Sequence, residues 1–220
     1  MSAPVSAVAD RAAFIRANTR LFAPRLVPEI GLYQADALVP LWRATEPDLA
    51  VLGLPPPYWA FAWAGGQALA RYILDNPETV AGKCVLDFGS GSGLVAIAAA
   101  KAGAAHVIAA EIDAFGRTAV ALNAAANRVT LEIDGADLVG RIDPGWQVVS
   151  AGDVCYEQPM AGQVQAWLKS LARQALVLIG DPQRTYFQTE GLEFVARYAV
   201  ETTIEIEDSD LRNASVWRVM

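Results

Sequence analysis

The chain has 220 residues, of which 54% are hydrophobic and 19% charged, with a formal net charge of −7. That is the size of one ordinary α/β domain with enough apolar side chains to bury a core, so a disordered chain is excluded. The acidic balance argues against non-specific nucleic-acid binding, which rests on Lys and Arg neutralising phosphates, and no run of about 18 apolar residues offers a membrane span.

The reactive inventory is small. Two cysteines, Cys84 and Cys155, and one histidine, His106, cannot supply the roughly four N or S ligands of a structural zinc site, so no metal is expected. The cysteines form no disulfide framework and fit a reducing compartment. His106 lies in the apolar pattern AHVIAA and reads as a satisfied or partly buried strand histidine rather than a catalytic base. Arginines 11, 16, 20 and 25 raise a transit peptide, but serine richness is missing. A bacterial cytoplasm is the expected location.

In chain order, residues 10–22 are an amphipathic helix candidate with Phe14, Ile15 and Leu21 on one side, stopped by Pro24 and Pro28. Residues 29–57 are mixed and end in three prolines, a stiff lead-in. Tyr58 to Leu74 reads as one aromatic-rich helix ended by Asp75-Asn76-Pro77. From residue 83 the rhythm alternates: strands at 83–89, 106–112, 129–133, 146–153 and 175–181, with helices at 94–102, 114–127, 163–173 and 187–198. Strands at 200–207 and 215–220 follow one another through a polar turn. Continuous apolar strands alternating with helices predict an α/β fold with a mainly parallel sheet covered on both faces. The closing pair predicts an antiparallel last strand. Seven strands result, as a Rossmann-like domain over 58–220, preceded by an N-terminal helical extension over 1–57.

The most informative stretch is VLDFGSGSG (85–93), which joins a buried strand to a helix. Glycines let the backbone turn tightly and approach a ligand closely. One strand–helix–strand unit later, Glu111 ends the next strand, where an acid takes the two hydroxyls of a ribose. The spacing G-x-G-x-G fails the dinucleotide fingerprint G-x-G-x-x-G, because position 94 is Leu94. S-adenosylmethionine (SAM) has no pyrophosphate to cradle, and Asp87 can serve its cationic amino end, directly or through water. SAM is therefore the expected cofactor.

With D-x-G-x-G-x-G, the acid after the second strand and the antiparallel end, residues 58–220 resemble the class I (seven-β-strand) methyltransferases. PPYWAFAWAGGQALARYILDNP (56–77) and the D-x-x-Y pattern in GDVCY (152–156) are similar to the family 16 protein-lysine methyltransferases. LIGDPQR (178–184) and FIRANTRLFAPRLVPEI (14–30) are most similar to the electron-transfer flavoprotein β-subunit lysine methyltransferases. The resemblance implies that Trp63 packs against SAM, that Gly89, Ser90, Gly91 and Gly93 line its methionine part, and that Glu111 holds the ribose. It also implies that Gly152 flanks the sulfonium region, and that adenine contacts fall at Gly135-Ala136-Asp137, with Asp137 the candidate.

The acceptor must be a neutral amine, whereas a free lysine titrates near 10.4, so reaching about 7.5 means about 4 kcal/mol. Aromatic walls and a cationic sulfonium push in that direction, while a carboxylate pushes against it. Asp153 is therefore expected to capture and aim the lysine rather than act as its base, with Tyr156 walling the channel. Tyr58 and Trp59 are candidates for the same wall or ordinary core aromatics. Asp181 and Arg184 are candidates for substrate contact or a surface ion pair. Ser92 and Cys155 read as spacers. The resemblance implies a protein-lysine N-methyltransferase acting on the β subunit of electron transfer flavoprotein and modulating its electron transfer. The alternatives are a ribosomal-protein lysine methyltransferase and a non-catalytic SAM-binding protein.

Overall fold

The computed structural model describes residues 10–35, 56–202 and 211–220. The expectations for 36–55 and 203–210 lie outside the described residues.

The N-terminal extension begins with α1 (Arg11–Asn18), whose first turn is capped by Asp10 accepting from Ala13 N at 2.9 Å. The expected helix over 10–22 stops four residues early. Arg20–Phe22 is instead strand β1, paired antiparallel with β2 (Leu32–Gln34). Leu21, expected on the buried side, is 51% exposed.

The expected helix over 58–74 is also divided. Tyr58–Ala60 forms a single 3₁₀ turn, Phe61 is extended, and α2 runs from Ala64 to Asp75 with Trp63 as its extended N-cap residue. Trp63 offers no side-chain cap bond. Nothing local therefore marks the break, and the apolar pattern runs straight across it.

The main sheet contains β3 (Cys84–Phe88), β4 (His106–Ala110), β5 (Glu132–Asp134), β6 (Val148–Gly152), β7 (Leu176–Asp181), β8 (Leu192–Glu201) and β9 (Leu211–Val219). Its order is β5-β4-β3-β6-β7-β9-β8. All described pairings are parallel except those of β9, which is antiparallel to β7 and β8. The helices α3 (Leu94–Lys101), α4 (Ala114–Asn127) and α5 (Met160–Leu171) complete the core. One face buries residues of α2, α3 and α4 with Val85, Val107 and Leu178; the other buries α5 with Leu86, Val149 and Ile179. A third cluster joins Ile15 of α1 and Ala35 to Trp59, Phe61 and Phe115, seating the extension on α4.

The expected helix over 187–198 is a strand. Gly191, at φ +74°, ends the preceding loop, and β8 then pairs with β9 from Leu192 to Glu201. A register shift between Phe194 and Ala196 breaks the two-residue alternation, which hides the strand from a count of apolar periods. Strand order reverses about β3, which has β4 on one side and β6 on the other. In such sheets ligands bind outside the carboxyl ends at this crossing point. The turns after β3, β4, β6 and β7 all meet there.

Candidate active site

On the β3–β4 side, the glycine turn is built by left-handed backbone. Gly89, Gly91 and Gly93 have φ of +65°, +55° and +84°, values that other residues adopt only with strain. Asp87 is 1% exposed and fully engaged. Its Oδ2 accepts from Ser90 Oγ at 2.6 Å and Ala96 N at 3.1 Å, and its Oδ1 from Ser150 Oγ at 3.0 Å. Burial pushes its carboxyl up to about 6 against those hydrogen bonds. Asp87 thus fixes Ser90, the start of α3 and β6 together.

Glu111 follows β4 and stands against the same turn. Its Oε2 accepts from Gly91 N at 2.8 Å and its Oε1 from Asp113 N at 2.8 Å. Burial raises its pKa, and the two backbone donors oppose that. A carboxylate has about four acceptor positions, so each oxygen keeps one for the adjacent hydroxyls of a ribose. Gly116 sits behind it: a Cβ there would lie 2.6 Å from Glu111 Cγ. A Cβ on Gly91 would meet only Gly89 O, at 3.9 Å, so the turn's outer side is open to a ligand. These features fit an adenosine-bearing cofactor without a pyrophosphate. Asp137, beyond β5, is exposed, and its Oδ1 holds Val139 N at 3.0 Å. Gly93 packs its backbone on Val120 and caps α3.

On the β6–β7 side, Asp153 is 7% exposed and has a left-handed φ of +58°. Its Oδ2 accepts from Gly65 N in the first turn of α2, and its Oδ1 pairs with Arg184 Nε at 2.8 Å. A carboxylate that accepts from an early backbone N–H of a helix is an N-cap, here delivered from 88 positions away. It also complements the helix dipole. The approach requires glycines. A Cβ on Gly65 would lie 2.4 Å from Gly180 O, and one on Gly152 would lie 2.9 Å from Gly66 Cα. Gly152 therefore admits the first turn of α2 against the strand ends.

Aromatic rings stand on the elements that hold this ion pair. Trp63 donates from Nε1 to Tyr58 O at 2.9 Å and lies 5.6 Å from the Arg184 guanidinium. Tyr58 packs on Tyr156 at 5.3 Å between ring centroids. Both tyrosines are partly exposed, at 46% and 41%. Burial pushes the Tyr156 phenol up to about 12. Trp59, a candidate for the same wall, is 3% exposed and stacks on Phe115 at 6.1 Å, so it belongs to the core. Cys155 is buried and its thiol is pushed up to about 12, which suits a spacer and not a nucleophile. His106 pairs with Glu132 at 2.9 Å on the exposed sheet margin, far along β4 from its carboxyl end.

Asp181 and Arg184 do not form a surface ion pair with each other. Asp181 is fully buried, takes Arg184 N on Oδ1 at 2.8 Å, and leaves Oδ2 buried without a hydrogen-bond partner. Burial, followed by the nearby Asp153 charge among the raising causes, pushes its carboxyl up to about 7. Arg184 gives its guanidinium to Asp153.

Three contributors escape a linear reading. Gly65 and Gly180 serve the helix approach described above. Asn123 is fully buried, accepts from Tyr33 N at 2.7 Å and donates to Ser92 O at 2.7 Å, which ties the N-terminal extension to the glycine turn. Its position on the inner side of α4, among alanines, was the only available signal.

This strand order, with its glycine turn and an acid on the neighbouring strand, defines a class I methyltransferase. The family model described as ribosomal protein L11 methyltransferase (PrmA) matches residues 67–143. Magnesium protoporphyrin IX methyltransferase from Synechocystis PCC 6803, solved with SAM bound, has a similar fold: TM-score 0.55 at 16% identity, over 98% of this chain and 100% of that one. A ribosomal protein L11 methyltransferase of Lactobacillus johnsonii is 35% identical over 121 residues, 52% of this chain and 38% of its own. The electron transfer flavoprotein beta subunit lysine methyltransferase of Xenopus laevis is 36% identical over 211 residues, 93% of this chain and 85% of its own. The chain belongs to the electron transfer flavoprotein beta subunit lysine methyltransferase family, and is a SAM-dependent protein-lysine methyltransferase.

Proposed function

We propose that the chain methylates lysines of the beta subunit of electron transfer flavoprotein, and that this modulates electron transfer by that protein. The observation that carries the reading is the similarity to the Xenopus enzyme over 93% of the chain, which takes in the N-terminal extension as well as the core. The similarity to the ribosomal protein L11 enzyme covers 52% of the chain, so it favours a shared core more than a shared substrate. Methylation keeps a lysine's charge while it adds bulk and removes hydrogen-bond donors, which suits adjustment of a docking surface.

The site residues divide the work. The glycine turn would line the methionine part of SAM and Glu111 would hold its ribose, while SAM supplies an electrophilic methyl group. Tyr58, Tyr156 and Trp63 offer apolar faces along which a lysine's methylene chain can lie. Asp153, fixed from two sides, orients the amine. Orientation of this kind supplies much of a displacement's rate.

The test is direct. The purified protein, the isolated flavoprotein subunit and SAM are incubated together, and the subunit's mass is followed. Increments of one methyl group, mapped to lysines, are expected. An unchanged subunit together with labelling of a ribosomal protein in a lysate would overturn the assignment.

A further inference from the structure

Asp153 presents a difficulty. A lone carboxylate beside an incoming lysine stabilises the ammonium form, yet only the neutral amine can be methylated. The structure offers a resolution in Arg184. Its Nε lies 2.8 Å from Asp153 Oδ1, and its guanidinium lies 5.6 Å from the Trp63 ring centroid. The segment that carries it is pinned along its length. Arg184 N donates to Asp181 Oδ1 at 2.8 Å, and Phe187 N to Arg184 O at 3.0 Å. Gln165 of α5, 6% exposed, donates to Tyr186 O at 3.0 Å and accepts from Gln188 N at 2.9 Å. The backbone that carries Arg184 is thus anchored, and its guanidinium is held by Asp153 with the Trp63 ring beside it.

We propose that Arg184 is a positioning residue for the reaction: held against Asp153, it balances the carboxylate's charge so that the amine admitted to the site is the neutral one. Asp153 then keeps its geometric role as an acceptor for the lysine's N–H without holding the proton in place. The inference rests on lysine as the acceptor.

Of the other ionisable groups around this pair, Asp181, pushed up to about 7, is the one that adds negative charge near neutral pH. Asp181, at the end of β7, is the second carboxylate that senses both Asp153 and Arg184. Cys155 and Tyr156, in the loop after β6, have their ionisation pushed to about 12. Tyr58 from the 3₁₀ turn, Glu157 and Glu111 act on Tyr156. The first turn of α2 brings no acidic residue.

The experiment has two arms. In the first, n-butylammonium, a lysine side-chain mimic, is titrated at pH 7 into wild-type, Arg184→Gln and Arg184→Lys protein loaded with S-adenosylhomocysteine. Arg184→Gln, with Asp153 unbalanced, is expected to bind the cation about tenfold more tightly than wild type, and Arg184→Lys to return towards wild type. Equal or weaker binding by a folded Arg184→Gln protein would overturn the proposal, whatever the protein substrate proves to be. In the second arm, kcat at saturating flavoprotein subunit is followed against pH, because kcat reports ionisations within the complex. Its rising limb should move about one unit upward in Arg184→Gln. A uniform loss without a shift would make Arg184 merely structural and overturn the proposal. Absence of wild-type methylation at every pH would overturn the substrate reading and leave the first arm decisive for Arg184.

Discussion

The two halves of the site are built on different scales of sequence. On the β3–β4 side most of the bonds to each acid come from its own neighbourhood: Asp87 is held by residues three and nine positions on, with Ser150 of β6 the one distant partner, and Glu111 by Gly91, twenty positions back. On the β6–β7 side Asp153 is held by Gly65, 88 positions away, and Arg184, 31 positions away. The cofactor half is therefore a nearly self-contained motif that any class I methyltransferase can carry. The acceptor half exists only after α2 and the loop after β7 have docked, and it is there that a substrate can be specified. Substitutions should separate the two halves, because those in the first alter cofactor binding and those in the second alter transfer.

The largest effect is expected at Gly65. A Cβ there would sit 2.4 Å from Gly180 O and 2.7 Å from Asp153 Oδ2. Both neighbours are parts of the strand ends, so α2 must move. Gly65→Ala should cost about 3 kcal/mol of stability, the upper end for overpacking, and abolish transfer; denaturant titration and a methylation assay would show both. A variant as stable and active as wild type would mean that α2 does not dock as described. Asp153→Asn comes next. It removes the charge while nearly keeping the shape, so transfer should fall about a hundredfold through lost orientation. Affinity for S-adenosylhomocysteine, measured by calorimetry, should change only a few-fold. Equal loss of both would erase the division between the halves.

The same difference in scale explains what could be read from the sequence. The glycine turn, Glu111 and the helix over 114–127 are local: Asp113 caps its helix through Phe115 N and Gly116 N. All are visible in a window of a few residues. The break between Ala60 and Ala64 is not, because the cap that starts α2 comes from Asp153. Likewise, β8 looks helical because its strand character depends on pairing with β9 and its alternation is interrupted at Phe194. Trp59 and Tyr58 are adjacent and chemically alike, yet one enters the core and the other the site. The 3₁₀ turn and the Phe115 ring decide which, and both are products of the fold. Asp87 was legible as important, but the bond it accepts from Ser150 of β6 was not.

Within the cofactor half, Glu111→Gln should weaken S-adenosylhomocysteine binding about tenfold or somewhat more, the value of a hydrogen bond to a charged group. Transfer at saturating cofactor should stay close to wild type. A loss confined to the transfer rate would place Glu111 in the wrong half.

The smallest expected effect on transfer concerns Asp181, and it tests how far the acceptor half tolerates its own charges. Burial pushes the native carboxyl up to about 7, from an ordinary aspartate value of about 4. Folded protein therefore retains a proton that unfolded protein has released. The associated stability is full below about pH 4, declines as pH rises, and is gone above about pH 7. Asp181→Asn cannot ionise, so its stability should fall less steeply than that of wild type across that window. Relative to wild type it should gain on the order of 4 kcal/mol between pH 4 and pH 8, about three units at about 1.4 kcal/mol each. Urea titrations at the two pH values read this directly. Parallel pH dependence in both proteins would mean that the carboxylate ionises freely despite its buried, unpartnered Oδ2. In that case Arg184, whose backbone N–H is bound to the other oxygen, would also balance Asp181 and not Asp153 alone.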